Sequence, residues 1–144
     1  QVKLLDANIL VYAYNSGLPE HARARRWLEA TLQDPGVIGL TWVTILAFLR
    51  IATNPRFFQA AYSTHEACGI VSDWLRRPNV LVAEPRERHW EILASLIGKT
   101  QARADLIMDA HLAAIAIEHG AVVCTNDRDF ARFPGLKTLN PLES

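Results

Sequence analysis

Three aspartates occupy positions where an acid is unexpected. Asp6 ends the apolar run 2–5, and Asp127 follows the apolar run 121–125. Asp109 lies in the segment 105–119, on the same helical stripe as apolar residues that should face a core. An ionised carboxylate in such surroundings is costly unless it is paired or bound to a metal. These residue types therefore suggest a functional site.

The chemistry that such acids could perform depends on whether they meet. If the two apolar runs are parallel strands, Asp6 and Asp127 lie at the same edge of one sheet, where ligand sites of α/β proteins are found. A helix starting at that edge brings Asp109 between them. Clustered carboxylates raise one another's pKa, and a divalent cation removes that penalty. Oxygen ligands favour Mg²⁺ or Mn²⁺, and such sites cleave phosphodiesters by activating a water molecule.

Structural explanations of the same acids remain open at this stage. Asp6 could simply cap the helix predicted over 7–14, because aspartate is a favoured capping residue. Asp109 could be neutralised by a buried arginine, for which Arg50 is the candidate. Asp105 is expected to cap the helix that carries Asp109.

Alternating strands and helices are predicted along the chain. We expect strands over 2–5, 37–40, 79–83, 121–125 and 136–139. We expect helices over 7–14, from Pro19 to 29, over 41–53, from a capping box at Ser63 to 75, from Glu84 onward, and over 105–119. This order predicts an α/β domain in which helices cover both faces of a central, mostly parallel sheet. At 144 residues the chain is expected to form a single domain, 1–144.

Composition narrows the function further. Fifteen basic and fifteen acidic residues give a net charge of zero, which disfavours nucleic-acid binding by bulk electrostatics. No apolar stretch approaches the roughly 20 residues of a membrane span, and no signal peptide is visible. Two isolated cysteines are expected in a reducing cytoplasm. The histidines lack zinc spacing, and the chain has neither a glycine-rich phosphate loop nor a serine elbow.

Several segments resemble one known family. The run 4–10 (LLDANIL) resembles the opening motif of PIN-domain nucleases. The runs 109–116 (DAHLAAIA) with 118–120 (EHG), 124–135 (CTNDRDFARFPG) and 48–56 (FLRIATNPR) resemble their VapC-type toxin branch. The resemblance implies a PIN-like three-layer α/β/α fold and a Mg²⁺- or Mn²⁺-dependent ribonuclease of a toxin–antitoxin module. It also implies an RNA substrate, a homodimer and a VapB-type antitoxin as partner. By motif position, Asp6, Asp109 and Asp127 form the acidic metal-binding cluster, with Asp129 as an additional catalytic candidate.

One departure from that family pattern concerns a glutamate near the second strand or the helix that follows it. Here no acid occurs between Asp34 and Glu66. Either Asp129 or the neutral oxygens of Thr41, Thr44 and Asn8 complete the site, or the metal is held weakly.

The missing glutamate keeps a second hypothesis open, which is a PIN-like module that binds RNA or protein without useful catalysis. A phosphotransfer enzyme with Asp6 as nucleophile is disfavoured, because Asn8 stands where a second aspartate would be needed.

Four aromatic residues could lie at a dimer or antitoxin surface, although at least half are expected in the core: Trp42, Trp74, Phe57 and Phe58.

Overall fold

The structure is a computed structural model that describes residues 1–143. Its strands are β1 (Lys3–Leu5), β2 (Ile38–Leu40), β3 (Val80–Val82), β4 (Val122–Cys124) and β5 (Lys137–Leu139). Its helices are α1 (Ala7–Tyr14), α2 (His21–Gln33), α3 (Trp42–Ala52), α4 (Thr64–Arg76), α5 (His89–Thr100) and α6 (Asp105–His119). A 3₁₀ helix over Arg128–Arg132 follows β4. The predicted α/β class is confirmed.

All five strands are parallel and lie in the order β3-β2-β1-β4-β5. The central strand β1 is paired with β4 so that Leu5 is opposite Cys124. The backbone N–H of Asp6 continues this ladder and donates to the Cys124 carbonyl over 3.0 Å. The strand ends that carry Asp6 and Asp127 therefore lie side by side at the carboxyl edge of the sheet.

Helices cover both faces of the sheet and divide the core in two. One cluster joins the sheet to α1–α4 and includes the fully buried Phe48 and Ile9. The other joins the sheet to α5 and α6 and includes Ile115, with several alanines of α6. Because alanines have short side chains, α6 can pack close to the strands, which sets the depth at which Asp109 lies. The three-layer α/β/α architecture predicted from the family resemblance is confirmed.

Two helix starts differ clearly from the sequence-based expectation. Helix α2 begins at His21 rather than at Pro19, and α5 begins at His89 rather than at Glu84. The late start of α5 has a clear cause, since the Glu118 carboxylate accepts hydrogen bonds from the backbone N–H groups of Arg86 and Arg88, at 2.8 and 2.9 Å. A side chain from α6 thus holds these residues as a loop.

The expected role of Asp105 as a helix cap is wrong. Asp105 is already the first residue of α6, and Ala104 occupies the capping position with a φ of +54° and no side-chain oxygen. Asp105 still suits the first turn, because a negative charge there complements the helix dipole. By contrast, the capping box predicted at Ser63 is present, with Ser63 and Glu66 bonded reciprocally.

The four aromatic residues considered for a protein interface divide evenly. Trp74 and Phe58 are buried in the core, whereas Trp42 and Phe57 are exposed. Within residues 1–143, no helix has the length and apolar character needed to cross a membrane.

Candidate active site

Three carboxylates meet at the carboxyl edge of the sheet. Asp109, Asp127 and Asp129 each offer an oxygen, and the three oxygens lie within 4.8 Å of one another. Asp109 comes from the second turn of α6, Asp127 follows β4, and Asp129 lies in the first turn of the 3₁₀ helix. We call these three residues the acid group. It contains two of the three predicted metal ligands, together with Asp129, the additional candidate.

Asp6 lies beside the acid group but is not one of its three members. It occupies the capping position of α1, as the structural explanation expected, but makes no side-chain capping hydrogen bond, so capping alone does not account for its carboxylate. Its carboxylate instead accepts a 2.7 Å hydrogen bond from the Thr125 hydroxyl. Burial raises the pKa of Asp6, the bond from Thr125 opposes that rise, and the charge of Asp127 adds to it. Asp6 therefore belongs electrostatically to the same site.

Thr125 is a site residue that the sequence interpretation missed. It is buried at the end of β4, and its hydroxyl donates to Asp6 while accepting from the backbone N–H of Asp127 at 3.0 Å. The Asp127 carboxylate in turn accepts from the backbone N–H of Asp129 at 2.9 Å. One threonine thus connects the ends of β1 and β4. The sequence feature that could have identified it is a hydroxyl residue between an apolar strand and an aspartate.

Asp109 shows most clearly that the site is not neutralised by protein groups. Its pKa is raised from 3.8 to about 6 by burial first, and then by the charges of Asp127, Asp6 and Asp129. Arg50 is exposed and does not pair with it. The three ion pairs found in residues 1–143 lie elsewhere, so the arginine-paired explanation is wrong: Arg25–Glu29, Arg76–Asp73 and Arg88–Glu91.

The neutral oxygens considered as substitutes for the family glutamate are largely occupied. The Thr41 hydroxyl donates to the Thr44 hydroxyl and accepts from the Thr44 backbone N–H, both at 3.1 Å. The Thr44 hydroxyl donates to the Leu5 carbonyl at 3.4 Å. Both threonines are buried. Their hydrogen bonds fasten the start of α3 to β1. Asn8, the third neutral candidate, is half-buried in the first turn of α1. Asp129 is the better candidate for the additional ligand, because it lies in the acid group.

The donor set fits a hard divalent cation. It consists of carboxylate oxygens, which Mg²⁺ and Mn²⁺ prefer. Like charges brought together without a cation raise one another's pKa, as Asp109 shows. Asp109, Asp127 and Asp129 could hold an ion, with Asp6 completing the site from the β1 side.

Known proteins share this fold and much of this sequence. The PIN domain family model matches residues 3–136. Ribonuclease VapC37 of Mycobacterium tuberculosis is 39% identical over 140 residues, covering 97% of each chain. Ribonuclease VapC33 of the same species is 40% identical over 137 residues, covering 95% of this chain and 96% of the relative.

Solved structures agree with the fold at lower sequence identity. Mycobacterium tuberculosis VapC20, described as a sarcin-ricin loop cleaving toxin, has a TM-score of 0.67 and 17% identity over 94% of this chain and 98% of its own. VapBC2 from Rickettsia felis, bound to a promoter DNA fragment, has a TM-score of 0.68 and 17% identity over 97% of this chain and 98% of its own. Together with the family model and the VapC relatives, these matches show that the chain belongs to the PIN-domain family, within its VapC branch.

Proposed function

We propose that this chain is a Mg²⁺- or Mn²⁺-dependent endoribonuclease that hydrolyses RNA phosphodiesters. One observation carries the proposal, which is the acid group at the carboxyl edge of the sheet, without an arginine or lysine partner in residues 1–143. Relatives at about 40% identity are named ribonucleases. The substrate that these names imply is RNA, which carries phosphates. The carboxylates of the acid group would repel a phosphate unless a cation lay between them.

The roles of the residues follow from their positions. Asp109, Asp127 and Asp129 would hold the ion, and Asp6 would flank it. When bound, Mg²⁺ or Mn²⁺ neutralises the phosphate and lowers the pKa of a water molecule. Asp6, fixed by Thr125 and with a raised pKa, is suited to orient an attacking water or to accept a proton. Thr125 is a positioning residue that keeps Asp6 and Asp127 at a fixed separation.

Substitutions of single carboxylates test the activity. Asp6→Asn and Asp109→Asn should each abolish Mg²⁺-dependent cleavage of a labelled RNA while the circular dichroism spectrum stays that of the parent. Asp105→Asn is the matched control, because Asp105 lies one turn before Asp109 on α6 but outside the acid group. Cleavage by both asparagine variants at the parental rate would contradict the proposal.

A binding module without useful catalysis is the second candidate. It is favoured by one observation, the absence of any acid between Asp34 and Glu66. A calorimetric titration with Mn²⁺ separates the candidates, since the nuclease must take up the ion and a pure binding module need not. Saturable uptake by the parent that is lost in Asp109→Asn supports the nuclease. No uptake, together with no cleavage, supports the binding module.

We further propose that the chain is the toxin of a toxin–antitoxin pair and acts in the cytoplasm, with a VapB-type antitoxin as its partner. VapBC complexes occur among the solved structures that share its fold. Expression of the parent alone should arrest bacterial growth, and expression of Asp109→Asn to the same level should not. Arrest by both proteins would mean that RNA cleavage is not the cause.

A homodimer completes the proposed assembly. Trp42 and Leu46 lie one turn apart on α3, with 50% and 60% of their surfaces exposed. Residues four apart share one helix face, so the two side chains form a continuous apolar surface. Burial of this surface against a second copy would remove it from water.

A further inference from the structure

A groove leads away from the acid group on the side of the 3₁₀ helix. It consists of two adjoining depressions of about 150 and 440 Å³. The first contains Asp127 in its wall, and the second reaches the start of α2. The two depressions share Asn126, Arg128, Asn140 and Glu143. A ligand that fills them would therefore continue directly from the acid group.

Two arginines face this groove at different distances along it. Arg128 follows Asp127 directly and borders both depressions, whereas Arg23 comes from α2 and borders only the second. Neither has a carboxylate within 4.0 Å in residues 1–143, although Glu20 and Glu143 also line the groove. Both guanidinium groups are thus available to an anionic ligand.

The groove has fixed walls. Arg23 donates from Nη1 to the Leu142 carbonyl at 3.2 Å, which anchors one side of its guanidinium. The Asn140 side-chain amide donates to the Asn126 oxygen at 2.9 Å, and the Leu142 backbone N–H donates to the Asn140 oxygen at 3.0 Å. The Asn126 oxygen is therefore occupied, and its NH₂ group has no acceptor among residues 1–143. Such preorganised donors bind a ligand at a lower entropic cost.

We propose that this groove, which we call the Arg23–Arg128 groove, binds the phosphate backbone of the RNA strand beside the cleavage position. Arginine presents a planar fork that matches phosphate oxygens. The chain has no net charge, so contacts to RNA must come from local cations. Arg128 is placed for a phosphate next to the acid group, and Arg23 for one further along the strand. This inference rests on the proposed ribonuclease function.

Binding of a short fluorescein-labelled single-stranded RNA tests the groove without cleavage. The parent, Arg128→Gln and the double variant Arg23→Gln/Arg128→Gln are titrated in EDTA at several KCl concentrations. Each lost phosphate contact should make the slope of log K against log[KCl] shallower by about 0.7, hence by about 1.4 for the double variant. Arg56→Gln is the control, because Arg56 is exposed and lies beyond the end of α3 that is remote from the acid group.

If the double variant unfolds, Arg128→Gln alone still tests the groove. This single variant should fold, because no hydrogen bond or ion pair of the Arg128 side chain is found in residues 1–143. Parental affinity and slope in both arginine variants would overturn the inference. Loss of antitoxin binding with unchanged RNA binding would also overturn it, by assigning the groove to a protein partner.

Cleavage assays separate this inference from the proposed function. If the parent cleaves RNA and the arginine variants cleave and bind as well as it does, the groove assignment fails and the nuclease stands. If the arginine variants lose affinity while the parent shows no metal-dependent cleavage, the groove assignment stands and the nuclease fails.

Discussion

At the scale of single residues, Asp109 is the acid whose protonation is most strongly perturbed. Burial, and after it the charges of four neighbouring carboxylates, raise its pKa to about 6 in the folded chain, above its ordinary value of 3.8. Folding therefore favours the protonated form. As the pH rises from about 4 to 6, the folded state must give up a proton that the unfolded chain has already lost, so this group weakens the fold. The penalty is complete above pH 6.

We expect Asp109→Asn to stabilise the metal-free protein at pH 7. The shift corresponds to at most about 3 kcal/mol, and partial exposure reduces this to about 1–2 kcal/mol. Urea denaturation in EDTA should show this gain at pH 7, a smaller gain near pH 5, and none below pH 4. Saturating Mg²⁺ should stabilise the parent and not the variant. A variant less stable than the parent at pH 7 would mean that Asp109 makes favourable contacts in the apo site.

Thr125 gives the second prediction at this scale. Thr125→Val keeps the shape and removes the hydroxyl that joins Asp6 to the Asp127 backbone, so we expect a 10- to 100-fold loss of kcat, as is typical for groups that orient metal ligands. Thr125→Ser should restore most of the activity, because it retains the hydroxyl. Thermal denaturation of both variants checks the fold. Full activity of the valine variant would show that the hydroxyl is dispensable.

Residue patterns predicted part of this site for physical reasons. Asp6 and Asp127 could be anticipated because the carboxyl ends of parallel strands meet at one edge. The role of Thr125 could not, since a hydroxyl reveals its partners only when two strands are placed side by side. Arg50 was a wrong partner for Asp109 because its side chain lies on the exposed face of α3. The sequence shows that α3 contains one charged residue, but it does not show which face of the helix carries it.

At the scale of elements, helix interiors could be predicted better than their starts. Both ends of α1 and of α6 agree with the sequence-based expectation, and α6 ends where Gly120 adopts a left-handed backbone conformation. The start of α5 does not, because it is fixed by Glu118, about thirty positions away in sequence. Desolvation opposes ionisation of Glu118, but the two backbone donors outweigh it and lower its pKa. A tertiary contact thus overrides a plausible local start signal.

We therefore expect Glu118→Gln to loosen the loop before α5. The amide keeps one acceptor oxygen but loses its charge, so the two hydrogen bonds weaken together. Hydrogen–deuterium exchange of the Arg86 and Arg88 amides should accelerate, while amides in the centre of α6 exchange as in the parent. Glu91→Gln is the control, since Glu91 makes an exposed ion pair with the Arg88 side chain and does not bond the two backbone amides. Unchanged exchange at both amides would show that Glu118 does not hold this loop.

At the scale of the whole molecule, the balance of charges and the exposed apolar surface matter most. A chain with no net charge does not repel a second copy of itself, and Trp42 and Leu46 present an apolar surface on α3. Each such side chain contributes about 1.5–3 kcal/mol when it is fully buried. Four of them across a two-fold axis could stabilise a dimer.

The double variant Trp42→Glu/Leu46→Glu should convert the proposed dimer to a monomer, because it places four charges at the contact. Light scattering after gel filtration, over a range of protein concentrations, measures the mass. Phe57→Ser is the control, because Phe57 is an exposed aromatic residue beyond the end of α3. A dimeric parent whose double variant keeps the same mass would place the contact elsewhere, and a monomeric parent would contradict the proposed dimer.

The pairing of β4 with the central strand β1 also determines when the acid group can form during synthesis of the chain. Asp6 precedes Asp127 and Asp129 by more than 100 positions, so it is translated well before them. On a ribosome, a nascent chain cannot assemble the carboxylates until β4 has emerged from the exit tunnel and paired with β1. A ribosome translating this message is therefore not exposed to a finished cleavage centre while most of the polypeptide is being made.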